Sequence, residues 1–105
     1  MRYLVDMRLT SSARPRTPQE GMAFVQQLIF PTLEMCKKLE ADGTIVTGGP
    51  ASAAIQLILI VEAGSALELD TIVERLPVWP LMETKVTPMT TWDGRKQALQ
   101  ARQGH

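Results

Sequence analysis

Apolar and polar residues alternate from Arg2 to Leu9, with Tyr3, Val5, Met7 and Leu9 on one side and Arg2, Leu4, Asp6 and Arg8 on the other. That two-residue period predicts a first strand over residues 2–9 with two unlike faces. The pattern dissolves into SSARPRTPQE, whose last four residues read as a helix start: a cap at Thr17, proline at the first helical position, and Glu20 placed to reach back. Beyond Pro18, the residues Val25, Leu28, Ile29, Thr32, Cys36 and Leu39 recur at helical spacing. This is the inward stripe of a helix that Gly43 ends. Pro31 lies within it. Lacking an N–H, it removes the bond to the Gln27 carbonyl and predicts a bend there.

TIVT, residues 44–47, predicts a short strand, GGPASAA at 48–54 a flexible connection, and IQLILIVE at 55–62 a third extended segment. Ser65 and Glu68 repeat the capping pattern ahead of a stripe at Leu69, Ile72, Val73 and Leu76, which Pro77 terminates. LMETKVTPMTTW, residues 81–92, completes the strands, with Pro88 marking an edge or a bulge. Asp93 is placed to cap a last helix through Arg102. The order βαββαβ predicts an α+β fold, the ferredoxin-like plait, over residues 1–92, with a C-terminal helical tail at 93–105. In that plait the first and third strands are central and both helices share one sheet face. Strand three carries Ile55, Leu57, Leu59 and Val61 on one side and Ile58 and Ile60 on the other. Both its faces therefore need cover, which predicts a homodimer packed sheet to sheet.

At 105 residues the chain has room for one core. Eleven basic residues balance eleven acidic ones, which leaves no positive field for nucleic acid. No apolar run is long enough to span a membrane, and Asp6 and Arg8 interrupt the first one, so a cytoplasmic protein is expected. Cys36 is the single cysteine and His105, the last residue, the single histidine. That leaves no Cys/His spacing for a metal.

LPVWPLMETKV, residues 76–86, places an aromatic between two prolines at the entrance to the last strand. Together with Tyr3, Val5 and Met7 in the first strand and EADGT after the first helix, it resembles the muconolactone delta-isomerase family over roughly residues 1–90. The resemblance implies a dimeric α+β barrel, often built into larger rings. It also implies cofactor-independent isomerases of small lactones in aromatic catabolism, with a small molecule as partner. From Thr44 to Val61 no side chain is ionisable, so that stretch supplies no catalytic residue. The alternative is a non-catalytic protein of the same fold that binds a small ligand or only assembles.

A double-bond shift beside a carbonyl needs a base and a group that stabilises the dienolate oxygen. Asp6, Arg8 and Glu62 lie on strands rather than on helix faces turned to solvent, and they are the catalytic candidates. Two readings stay open for them. They pair with one another across a dimer, or Asp6 or Glu62 is desolvated, raised in pKa and basic, with Arg8 stabilising the anion. The candidate ligand contacts are Tyr3, Thr47, Gly48, Gly49 and Trp79. The glycines permit a backbone anion nest or simply a turn, and Trp79, held between Pro77 and Pro80, packs or touches ligand.

Overall fold

The computed structural model describes residues 1–103; Gly104 and His105 lie outside the described residues. Strands β1 (Arg2–Leu9), β2 (Ile45–Pro50), β3 (Gln56–Glu62) and β4 (Met82–Met89) form one antiparallel sheet in the order β2-β3-β1-β4. The first and third strands are central, as the plait requires. The alternation read from the chain sets the two faces. Tyr3, Val5 and Met7 of β1 and Leu57, Leu59 and Val61 of β3 are buried under the helices, while Asp6, Arg8, Ile58 and Glu62 lie on the opposite face. Helix α3 (Ala66–Glu74) closes the core with Leu69 and Val73, followed by Leu76 and Val78.

Both capping signatures form, each with the same variation. Thr17 and Ser65 accept from the N–H of Glu20 and Glu68, both at 3.1 Å. The two glutamates then take the N–H of the residue preceding the cap, Arg16 and Gly64, at 2.8 Å. Gly43 ends the first helical rod at φ +87°, where a side chain would be strained.

The rod itself differs from a simple bent helix. It consists of α1 (Pro18–Phe24), a π-helical segment (Val25–Ile29) and α2 (Phe30–Ala41), with helical backbone angles at each junction. Pro31 is the second residue of α2, with only Phe30 between it and the end of the π segment. A widened turn carries about one extra residue and so slips the phase of the apolar stripe. Phe24, absent from the expected stripe, is buried at 8% exposure, whereas the expected Val25 is 37% exposed. Downstream the stripe holds: Thr32 is buried, and Cys36 and Leu39 pack against the core.

Two other boundaries are corrected. Gly48, Gly49 and Pro50, expected in a flexible connection, continue β2 in register with Leu59, Ile58 and Leu57. Gly48 reaches φ +142°, and a Cβ there would meet the carbonyl of Ile58, so the close approach to β3 requires glycine. At the other end, β4 stops at Met89 and α4 (Trp92–Gln103) begins earlier than expected, because Thr91, not Asp93, is the cap: its Oγ1 accepts from the Gly94 N–H at 2.9 Å.

Candidate functional site

Between the rod and the end of the sheet lies an apolar cavity of about 230 Å³. Phe24, Val25, Ile29 and Thr32 form its helical wall, Ile55 and Leu57 its sheet wall, and Val78 and Met82 its base. The rod can approach the sheet closely here because Thr32 is small and its polar atom is satisfied. Thr32 Oγ1 accepts from the Val78 N–H at 3.2 Å, with both residues 1% exposed. None of the residues that line this cavity is ionisable.

Charge enters next door. A more open hollow of about 650 Å³ shares Ala54, Ile55 and Gln56 with the cavity and is lined by Arg8, Arg14 and Thr17. An apolar pocket opening toward two guanidinium groups fits a small ligand with an apolar ring at one end and a carboxylate at the other. Arg14 was not among the residues singled out from the chain. It comes from the loop between β1 and α1, and the folded chain sets it with Arg8 on the lining of one hollow.

Asp6 and Arg8 are brought together, and Gln56 joins them. Gln56 Nε2 donates to Asp6 Oδ1 at 3.0 Å, and Arg8 Nη2 donates to Asp6 Oδ2 at 3.4 Å. The register explains the cluster, since Arg8 lies opposite Gln56 on β3 and opposite Glu83 on β4, with Lys85 across from Asp6. The Gln56 hydrogen bond is the first cause holding the Asp6 carboxyl below its ordinary value; burial, second in size, opposes it, and Arg8 and then Lys85 add to the lowering. In the protomer this sheet face is open to water and all three neighbours favour the anion; a raised carboxyl belongs to the reading in which a dimer partner desolvates it.

Glu62 does not join this cluster. It lies opposite Arg2, four residues along β3 from Ile58, the partner of Asp6, a separation of about 13 Å at strand rise. Its oxygens take the amino terminus at 3.3 Å and Arg2 Nε at 3.5 Å. Tyr3 is buried in the core, its hydroxyl donating to Met1 Sδ at 3.4 Å. Trp79 starts a short 3-10 turn (Trp79–Leu81) and packs against the core, while its neighbour Val78 is the one in the cavity wall. Thr47, Gly48 and Gly49 belong to an extended strand, which directs successive N–H groups to opposite sides, so these glycines form neither the nest nor the turn that their sequence permits. Gly48 and Gly49 border a separate hollow of about 290 Å³ with Leu33 and Cys36, and burial raises the Cys36 thiol. Among the described residues no group of three or more His, Cys, Asp or Glu is gathered to hold a metal, and no helix is long and apolar enough to cross a membrane.

Comparison with known proteins gives these features a context. The muconolactone delta-isomerase family matches residues 1–94. A crystal structure of muconolactone isomerase is similar over 87% of this chain and 90% of that one, with a TM-score of 0.68 and 20% identity. At that identity the likeness concerns the fold, and it agrees with the four-stranded α+β plait. No curated protein sequence matches.

Proposed function

The chain belongs to the muconolactone delta-isomerase family, and from that premise we propose that it isomerises a small lactone carrying a carboxylate, without a cofactor. The observation that carries the reading is the continuity of the apolar cavity with the Arg8 and Arg14 hollow through Ala54, Ile55 and Gln56. The ring enters the dry cavity, and the carboxylate faces the guanidinium groups. Asp6 lies on the opposite sheet face and lines neither space, so it acts on a carbon held at the Gln56 rim; it takes a proton from a carbon next to the unsaturated system, and the C–H electron pair moves onto the carbonyl oxygen. The proton on Asp6 exchanges with solvent, and the protonated carboxyl then delivers a proton to a different carbon as the electron pair returns from the oxygen. Atoms and charge balance with no oxidant or reductant.

A sheet-to-sheet homodimer is part of this proposal. The open face carries Leu4, Ile58 and Ile60 side by side, with Ile58 42% exposed. Covering it would desolvate Asp6 and oppose the lowering by Gln56 and Arg8, moving the carboxyl toward the range a base needs. A free thiol at Cys36 suits a reducing compartment, and the cytoplasm is the proposed place of action.

The test is isomerisation of muconolactone in D₂O, followed by proton NMR. Wild-type protein should incorporate deuterium at the carbon that is reprotonated. Arg14→Ala should raise KM more than it lowers kcat, and Asp6→Asn should lower kcat by roughly two or more orders of magnitude. Binding of the lactone with no exchange by the wild-type protein would refute catalysis, and full activity of Asp6→Asn would refute the assigned base.

A further inference from the structure

The last helix leaves the body of the protein unaccompanied. The molecule measures 62 Å along its long axis against 29 and 25 Å across, and every residue of α4 except Gly94 is exposed. Trp92 is 95% exposed, a large apolar area to leave in water. The arm has an organised surface. At 3.6 residues per turn Trp92 and Leu99 fall on one line, with Arg95 and Arg102 along one flank of that line and Lys96 along the other. Asp93 projects away from it. The result is an apolar ridge bordered by three cations, in a chain whose charges balance overall.

One surface elsewhere on the molecule has the opposite character. Helix α3 buries Leu69 and Val73, so its outer side presents Leu67, which is 77% exposed, together with Asp70, Glu74 and Glu68, all exposed. This is an apolar knob bordered by three acids, on a helix with no cation between Ala66 and Glu74. At 1.5 Å per residue the Trp92-to-Leu99 ridge is about 10 Å long and α3 about 13 Å, so the two surfaces match in length as well as in charge.

We propose that α4 docks on the outer face of α3 in a second copy of this chain, with Trp92 and Leu99 against Leu67 and with Arg95, Arg102 and Lys96 facing Asp70, Glu74 and Glu68. The ridge is exposed in its own protomer, so the contact forms between copies. Because ridge and knob are different surfaces, the contact is heterologous: two copies exchange arms reciprocally, or a series of copies closes a ring. The contact uses neither the catalytic cavity nor the open sheet face, so it stands or falls separately from the isomerase reading.

The test follows Trp92 emission, taken as the difference between the wild-type spectrum and that of Trp92→Phe, which leaves Trp79 untouched. On raising the protein concentration, the difference spectrum should move to shorter wavelength as the indole leaves water. Reversing the arm (Arg95→Glu with Arg102→Glu) should abolish the shift. So should reversing the receiving face (Asp70→Arg with Glu74→Arg), and all four changes in one chain should restore it. Water-like Trp92 emission at every concentration would overturn the proposal, as would failure of the four-fold variant to recover the shift while its circular dichroism stays native. A shift seen only with vesicles of anionic phospholipid would also overturn it, assigning the arm to a membrane surface instead.

Discussion

Replacing Thr32 by valine removes one oxygen and keeps the shape of the side chain, and the structure sets what that oxygen is worth. Thr32 and Val78 are each 1% exposed, and Oγ1 is the acceptor for the Val78 N–H at 3.2 Å. Without it, a buried backbone donor has no partner, a loss of about 1–3 kcal/mol. The extra methyl returns about 0.8 kcal/mol of burial, leaving a net loss of up to about 2 kcal/mol. At roughly 4–8 °C per kcal/mol for a domain of this size, that lowers Tm by up to about 15 °C. Thr32→Ser is the matched control, because it keeps the hydroxyl and gives up one buried methyl, about 1 kcal/mol. Stability alone separates the two variants weakly, so hydrogen exchange at the Val78 amide decides. Protection at that amide should fall in Thr32→Val and persist in Thr32→Ser. Unchanged Val78 protection together with an unchanged denaturation midpoint in Thr32→Val would refute the argument that this bond ties the rod to the turn before Trp79.

Gly48→Ala should destabilise by about 2 kcal/mol or more, since it combines φ +142° with a Cβ lying against the Ile58 carbonyl and 2.9 Å from Leu59 Cα. Gly49→Ala, with nothing within 4 Å, should shift the urea midpoint little; equal effects would contradict the close-approach account. Ile58→Asp should convert the proposed sheet-to-sheet dimer to monomer in sedimentation, and a variant that stays dimeric would remove the open face from the interface. Because Gln56 above all, and then Arg8, depress the folded-state carboxyl of Asp6 below 3.8, the stability it contributes is present above that value and is lost as pH falls through the lowered one. Carboxyl NMR of the dilute protomer should show that midpoint, and one at or above 3.8 would contradict it. Pro31→Ala restores the donor to the Gln27 carbonyl, so a structure of the variant should show continuous α-helix with Val25 turned inward in place of Phe24. A retained π segment would show that packing, not Pro31, imposes it.

The features legible in the sequence were those set by near neighbours. Two capping glutamates, a stop at Gly43 and strict alternation in β1 and β3 locate most elements, because each is decided within a few residues. Gly48 and Gly49 misled for a physical reason. Two glycines before a proline have the composition of a loop, and only pairing with Leu59 and Ile58 shows that glycine is there to let two strands approach. The site is harder to read still. Gln56 lies 50 residues from Asp6, and the register that sets it opposite Arg8 is a property of the assembled sheet. Arg14 stands in a loop whose residues carry no periodicity. The exposed position of Trp92 depends on where β4 ends, which Thr91 decides by capping α4 earlier than Asp93 would.

The phase slip in the rod connects these observations. A continuous α-helix from Pro18 would carry the stripe Val25, Leu28, Ile29 and Thr32 into the groove above β3. The widened turn ahead of Pro31 breaks that sequence, and Phe24, Val25 and Ile29 become walls around a space that no side chain occupies. Local pattern and fold disagree at this one place on the helical layer, and such disagreement tends to mark a functional site in a sequence that is otherwise consistent with its fold. The cavity opens at Ala54 to Gln56, the point where β3 begins and where Arg8 and Arg14 line the adjoining hollow. An apolar ring would be selected by the volume that Pro31 keeps open, and its carboxylate by the two arginines. Substitutions at Pro31 and at Arg14 should therefore alter substrate choice in different ways, the first changing which ring fits and the second changing whether an acid is preferred to its ester.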